Sequence, residues 1–351
     1  MAAPTFALAW WETFRKPGAR LAVVVVEDAD GLVGIAPFVA LDRRLVEYRL
    51  LGAGIGHRLG PVARRGSEAL LGRQIVAAFA GVRLHSVVFE GVDEPGVLVA
   101  ETVAAHWPGR FGAQLRRDVD MVSPVATLAP SHAEWMAAKS QSFRRQEKQG
   151  RRALDNAGMK VRRAESRAEI AADLTALGRL HLARNGEAAT AVWDDEEVLQ
   201  GFLRTIPSTD RVWLYVIEHE GRVVAANLAV GAGAEITGVA VGHDGEYDKL
   251  RPGYVLMNAM IADACEAGVA RFDLGGGGQQ FKARFADDVR TLHWMTVYPR
   301  TPRWLVIRAR LAPKHLRYAA RSAARRLPDK HYQRLKDVAE WTLAHFSRNR
   351  S

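Results

Sequence analysis

Two stretches of the chain share one pattern of β-branched apolar residues broken by an acidic residue and a glycine. Leu21 to Ala40, LAVVVVEDADGLVGIAPFVA, predicts a strand, a turn at Asp30-Gly31 and a second strand; Val212 to Gly231, VWLYVIEHEGRVVAANLAVG, predicts the same with its turn at Glu220-Gly221. The two hairpins start about 190 residues apart, which is an internal repeat signal. A helical pattern precedes each, Leu8 to Phe14 in the first half and Asp195 to Thr205 in the second. A strand and then a helix follow each: Tyr48 to Leu51 and Ser67 to Ala80, then Glu235 to Val241 and Tyr254 to Ala267. Helices interleaved with a mostly antiparallel meander predict a mixed α/β fold, repeated.

Between the halves, Pro130 ends a strand and Ser131 with Glu134 has the form of a capping box. The segment from Ser142 to Asn156, rich in Arg, Lys, Gln and Ala, predicts a helix that stops at Gly158. Ser166 with Glu169 repeats the capping form ahead of Leu174, Leu177, Leu180 and His181. Beyond Tyr298-Pro299 the regular fold is complete, and Trp304 to Arg350 predicts two basic amphipathic helices broken near Pro328. The expected division is residues 1–130, residues 131–300 and a tail, 301–351.

With 351 residues, 48% of them apolar and 25% charged, the chain is long enough for two folded domains and is not disordered. The net charge of +10 changes the picture only through its location: residues 301–351 hold thirteen Lys/Arg against three Asp/Glu, so the rest is close to neutral. Arg144, Arg145, Lys148, Arg151 and Arg152 form a second basic cluster. Either cluster is a solvated helix face or a surface for phosphate, anionic membrane or RNA. The one cysteine, Cys265, sits in an apolar helical pattern and reads as a small buried residue. Glu12, Arg15 and Lys16 interrupt the first apolar run, so the expectation is a cytoplasmic protein, peripheral at the inner membrane surface if the tail recruits it.

The chemistry concentrates between Gly238 and Phe285. A strand, GVAVG, leads through HDGEYDKLRPG into the helix YVLMNAMIADACEAG, then a strand, VARFDLG, and GGGQQFKARF. A Pro-Gly turn opening a helix offers unpaired N–H groups and the positive end of the helix dipole to an anion, and Arg251 adds a charged donor. By itself such a turn is as often an ordinary one.

In order and spacing, Asp244, Tyr247, Arg251-Pro252-Gly253-Tyr254, Phe272-Asp273, the glycine run and Phe281-Lys282 resemble the CelD/BioF2-like GNAT acyltransferases. The likeness spans about Ser140 to Arg300, and the repeated first half is similar to that group's tandem architecture. Arg251 stands where the group's serine precedes Pro-Gly, and Phe281 where its tyrosine precedes the lysine. The second departure is shared with Fem-type aminoacyltransferases of peptidoglycan.

The resemblance implies direct transfer from acyl-CoA, acetyl-CoA first among candidates, to an amine on a sugar, polysaccharide precursor or metabolite, in a splayed gap between the strands ending near Val241 and Leu274. It implies a donor site at Val239, Val241, Arg251, Pro252, Gly253, Tyr254 and Val255. The amine proton then passes to His243, Asp244 or Glu246, and Tyr247 or Tyr254 protonates the leaving thiolate. Trp193, Gln280, Lys282 and Arg284 are the candidate acceptor or phosphate contacts. For each the structural alternative stands beside the functional one: His243 and Asp244 as turn caps, Tyr254 as core. Two rivals stay open, an aminoacyl-tRNA-dependent transferase that gives the basic segments an RNA-binding purpose, and a non-catalytic scaffold of an envelope-polysaccharide system.

The glycine run is neither a P-loop nor a dinucleotide fingerprint, since no Lys-Ser/Thr follows it and the order of elements is wrong. His181, His219, His243 and His293 have no ligand spacing, so no metal is expected.

Overall fold

The computed structural model describes residues 4–42, 46–53, 58–185, 212–277 and 280–300. The expected helix at Asp195 to Thr205, Trp193, Gly278 and the tail 301–351 lie outside these residues. Among them, one twelve-stranded sheet runs through the molecule in the order β1-β2-β3-β5-β12-β6-β11-β10-β9-β8-β7, with β4 (Val62–Ala63) on β2.

Each half begins with the hairpin that its apolar alternation demands. β1 (Ala19–Asp28) pairs antiparallel with β2 (Gly31–Asp42), and β8 (Val212–His219) with β9 (Arg222–Ala232). Gly31 turns the first at φ 101°; Glu220 and Gly221, both left-handed, turn the second, as a two-residue hairpin loop requires. A third antiparallel strand follows: β3 (Val46–Leu50) on β2, and β10 (Glu235–His243) on β9. A crossover helix then leads to a parallel strand. α2 (Glu68–Phe79) leads to β5 (Ser86–Val92) beside β3, and α7 (Pro252–Glu266) to β11 (Arg271–Asp273) beside β10. The repeat expected from the two hairpins is therefore present in strand order and direction.

The last strands of the two halves cross over. β6 (Ala113–Thr127), from the first half, lies against β11; β12 (Asp288–Pro299), from the second, lies between β5 and β6. The register from Asp288↔Val125 to Pro299↔Ala113 joins the halves edge to edge.

Helices cover both faces. α2 and α3 (Glu94–Ala105) bury Leu71, Ile75, Val99 and Val103 with Phe38, Phe89 and Val297. α7 buries Leu256, Met260 and Ile261 with Phe272 and Phe285, and α6 (Arg167–Asn185) buries Leu174 and Leu177 on the opposite face with Leu214 and Val216. Two serine caps sit where the sequence places them: Ser131 opens α4 (His132–Ala137), and Ser166 exchanges bonds with Glu169 at α6; a third, Ser140, opens α5 (Gln141–Asn156), just ahead of the expected start at Ser142. Gly158, at φ 69°, ends α5. α1 (Pro4–Phe14) and β7 (Lys160–Arg163) complete the elements, with the short α8 (Gln280–Ala283) before β12.

Candidate active site

β10 and β11 are parallel partners only from Glu235↔Arg271 to Thr237↔Asp273. At Gly238 a bulge interrupts β10's pairing with β9, and Leu274 turns away to bond Pro124 of β6. Beyond Thr237 the edge of β10 facing away from β9 has no strand beside it among the described residues. The gap closes at a glycine vertex: a Cβ on Gly275 would lie 2.8 Å from the carbonyl oxygen of Gly238, and one on Gly238 would lie 3.1 Å from that of Leu274. Only glycine admits this approach.

The gap is bounded by two helices. α6 crosses β10 so closely that a Cβ on Gly242 would meet His181 N at 2.8 Å, and the His181 ring Nδ1 lies 3.2 Å from the carbonyl oxygen of Val241. On the other face, the start of α7 meets β10 where a Cβ on Gly253 would lie 3.9 Å from Val241. The donor positions Val241, Gly253 and Arg251 are thus neighbours. The anion site is narrower than a free helix terminus. Pro252 has no N–H, and the N–H groups of Tyr254 and Val255 turn back to the Arg251 carbonyl, so Gly253 supplies the outward donor of this turn. The left-handed residue of this turn is Arg251, at φ 52°, and not Gly253. Val255 is buried where α5 crosses, 3.1 Å from a Cβ placed on Gly150, and the half-buried Val239 packs into the first half's core.

The side chains expected to handle protons do not meet at one point. His243 Nε2 lies 2.5 Å from the Asp248 carboxylate, and Asp244 caps the 3-10 turn from Gly245 to Leu250 through the Glu246 N–H while pairing with Arg222. Tyr247 OH meets His219 Nδ1 at 3.0 Å. Tyr254 is buried against Phe143 and Phe285, and burial raises its pKa. Of the acceptor candidates, Gln280 opens α8, and Arg284, exposed, bonds Gln146 of α5 at 2.5 Å.

Lys282, a candidate contact for the acceptor or for donor phosphate, is set inside the molecule. It is buried, and Nζ donates to the carbonyls of Gly275 at 3.1 Å and Gly276 at 3.2 Å, beside the vertex. An ammonium has three donors, so one remains for a ligand. Burial pulls its pKa down to about 8, against the opposing pull of Asp273. Asp273 is buried too; it accepts from Ser123 and from the Gly275 N–H, and its second oxygen lies 3.8 Å from Arg58. Arg58 comes from the first half, held left-handed at φ 59°, and donates to Glu235 at 2.6 Å. Burial alone would raise the Glu235 pKa, but Arg58 and Arg290 outweigh it and hold the carboxyl at about 2. Arg58, Ser123 and His181 were not singled out in the sequence as site residues. Their partners lie 177, 150 and 60 residues away, and no local pattern signals such contacts.

The basic cluster of α5 divides. Arg144 caps the end of α4 through the Ala137 and Lys139 carbonyls, and Arg151 pairs with Glu147, whereas Arg145, Lys148 and Arg152 share the exposed face. Among the described residues no group of three or more His, Cys, Asp or Glu is placed to hold a metal ion, and no helix is long and apolar enough to cross a membrane.

Two results follow at the donor turn. Gly253→Val is expected to fill the space between α7 and Val241 and to abolish acyl-CoA binding in a folded protein, read by calorimetry; unchanged affinity would remove the donor site from this turn. Arg251→Gly relieves a left-handed non-glycine residue, so it should raise stability by about 1 kcal/mol in urea titrations. If Arg251 bonds donor phosphate, the same change weakens donor binding by about 1–3 kcal/mol.

Residues 141–283 match the family model for an acetyltransferase (GNAT) domain. No curated protein matches the chain. Among solved structures, FemX is similar over 81% of this chain and 90% of its own, at 12% identity and a TM-score of 0.59. A conserved protein of unknown function from Bacteroides thetaiotaomicron is similar over 84% and 90%, at 11% identity and 0.54. So is the C-terminal DUF2156 domain assigned to a lysylphosphatidylglycerol synthetase of Agrobacterium fabrum, over 82% and 88%, at 13% identity and 0.52. The fold of residues 141–283 is that of a GNAT domain, and FemX is similar in fold to the chain across both halves.

Proposed function

We propose that the chain is an N-acyltransferase that moves an acyl group from acyl-CoA, acetyl-CoA first, to an amine. The observation that carries the reading is the splayed gap: β10 and β11 part at a glycine vertex, α7 points its first turn at the opened edge, and the buried Lys282 ammonium lies beside the vertex with a donor to spare. In this arrangement the pantetheine arm lies along the β10 edge, and Gly253 N–H with Arg251 meets the pyrophosphate. The amine nitrogen attacks the thioester carbon, the C–S bond breaks, and the sulfur leaves as thiolate. Lys282 donates to the oxygen on which negative charge gathers. Solvent in the open gap takes the amine proton and protonates the thiolate, while His243, held by Asp248, stands at the donor-turn end of β10, away from the vertex.

A second reading, with aminoacyl-tRNA as donor, draws on Arg145, Lys148 and Arg152. Their exposed face lies on α5, the helix that crosses α7 at Gly150, on the side turned away from that crossing, and three cations there suit an RNA backbone. Calorimetric titration with acetyl-CoA, longer acyl-CoAs and charged tRNA separates the two. Saturable binding of an acyl-CoA that Gly253→Val removes supports the first reading; binding of charged tRNA alone, lost in Arg145→Glu/Lys148→Glu, replaces it with the second. Binding of none of these sinks both.

A further inference from the structure

The two edges of the sheet are built differently. β7, at one end, is four residues long and reads KVRR, so Lys160, Arg162 and Arg163 line it; short length and basic charge are the ordinary protection of an open edge. β1, at the other end, is ten residues long, and its middle, Leu21 to Val26, has no charge and no proline. Among the described residues no strand covers its outer edge. Val24 and Val26 point into the core, whereas Leu21, Val23 and Val25 are 45%, 46% and 52% exposed on the other face.

From this contrast we infer that β1 is a self-pairing edge, on which two copies of the chain associate antiparallel about a two-fold axis at Val23, joining their sheets into one. The pattern of the strand selects that register. Leu21, Val23 and Val25 are symmetric about Val23, so Val23 faces its own copy and Leu21 faces Val25 of the second copy, placing six apolar side chains together. In the same register Arg20 lies diagonal to Asp28 of the second copy, within reach of an arginine. Asp28 already binds Arg64 of its own chain at 2.8 Å, so the carboxylate is held in place to receive it. A two-fold pairing consumes both β1 edges and closes, leaving the guarded β7 edges outward.

Cross-linking reads this register directly, because the only native cysteine, Cys265, is buried. Directly opposed residues have Cα atoms about 4.5–5.5 Å apart, inside the range a disulfide needs. The full chain is expected to have the mass of two copies by light scattering, and Val23→Lys/Val25→Lys the mass of one, with the wild-type circular dichroism spectrum and a cooperative unfolding transition whose midpoint no longer depends on protein concentration. Under mild oxidation Val23→Cys should link to itself. Val25→Cys should not, but should link to Leu21→Cys when the two proteins are mixed. A wild-type monomer, which is also what a tail folded over the edge would give, overturns the inference, as does a dimer that survives Val23→Lys/Val25→Lys. Equal self-linking of Val23→Cys and Val25→Cys overturns the register.

Discussion

Replacing Lys282 with methionine is expected to lower turnover by about 10²–10³-fold in a folded protein, the loss seen when one charged or hydrogen-bonding donor to a developing oxyanion is removed. Methionine keeps the length of the side chain and removes the charge, so the loss should fall on kcat more than on KM. The pKa of about 8 supplies two further signatures. Since the cation is the working form, activity in the wild type should decline as pH rises through about 8. Stability should move the other way. An unfolded lysine keeps its proton up to about pH 10.4, so between pH 8 and that value the unfolded chain binds more protons than the folded one, and stability rises with pH. The full rise is roughly 3 kcal/mol, because each pKa unit corresponds to about 1.4 kcal/mol. Below pH 8 both states are protonated and this slope vanishes. Urea titrations at pH 7.5, 9 and 10.5 should show the rise in the wild type and not in Lys282→Met. A Lys282→Met enzyme with wild-type turnover would take Lys282 out of the chemistry.

Arg162→Ala is expected to destabilise the protein by about 3–5 kcal/mol, the cost of leaving one member of a buried ion pair without its partner. Arg162, on β7, grips the buried Asp173 of α6 with two bonds, at 2.7 and 2.9 Å, and Glu218 of β8 with two more, at 2.7 and 2.9 Å. Asp173 and Glu218 together raise the arginine's pKa further above its ordinary value. The arginine therefore ties α6 to the sheet, and α6 forms one wall of the gap through Leu180 and His181. Loss of Arg162 should reduce donor affinity along with stability. The double change Arg162→Met/Asp173→Leu, which removes both charges, should recover most of the stability in thermal unfolding. If the single variant unfolds at the wild-type midpoint, the ion pair does not anchor the helix.

Local chemistry was readable in advance; distant pairing was not. The hairpins at Asp30-Gly31 and Glu220-Gly221, the serine caps at Ser131 and Ser166, the Gly158 stop and the Pro252-Gly253 helix start each depend on a few consecutive residues, and each is where its residues put it. The splayed gap was legible only through the resemblance, because which strand lies beside β10 is decided by contacts across the whole chain. For the same reason the setting of Lys282 was not legible in the sequence. Its burial depends on the carbonyls of Gly275 and Gly276 and on a carboxylate, Asp273, bonded to a serine 150 residues earlier. His243 and Asp244 were read as a proton relay or as turn caps. Their bonds to Asp248, the Glu246 N–H and Arg222 make both of them part of the turn.

The crossing of β6 and β12 bears on how the chain reaches this structure as it is made. While only the first half has left the ribosome, β5 has β3 on one side and nothing on the other, because its second neighbour, β12, begins at Asp288. β6 is in the same position, since both of its neighbours, β11 and β12, are encoded in the second half. The nascent protein therefore carries open strand edges on both β5 and β6 through nearly half of its synthesis, and they close only when the last strand arrives. Contacts of such sequence separation form slowly. Expression should be limited by how long those edges stay covered by chaperones, and a gene cut near residue 130 should yield an aggregating fragment, not a folded half.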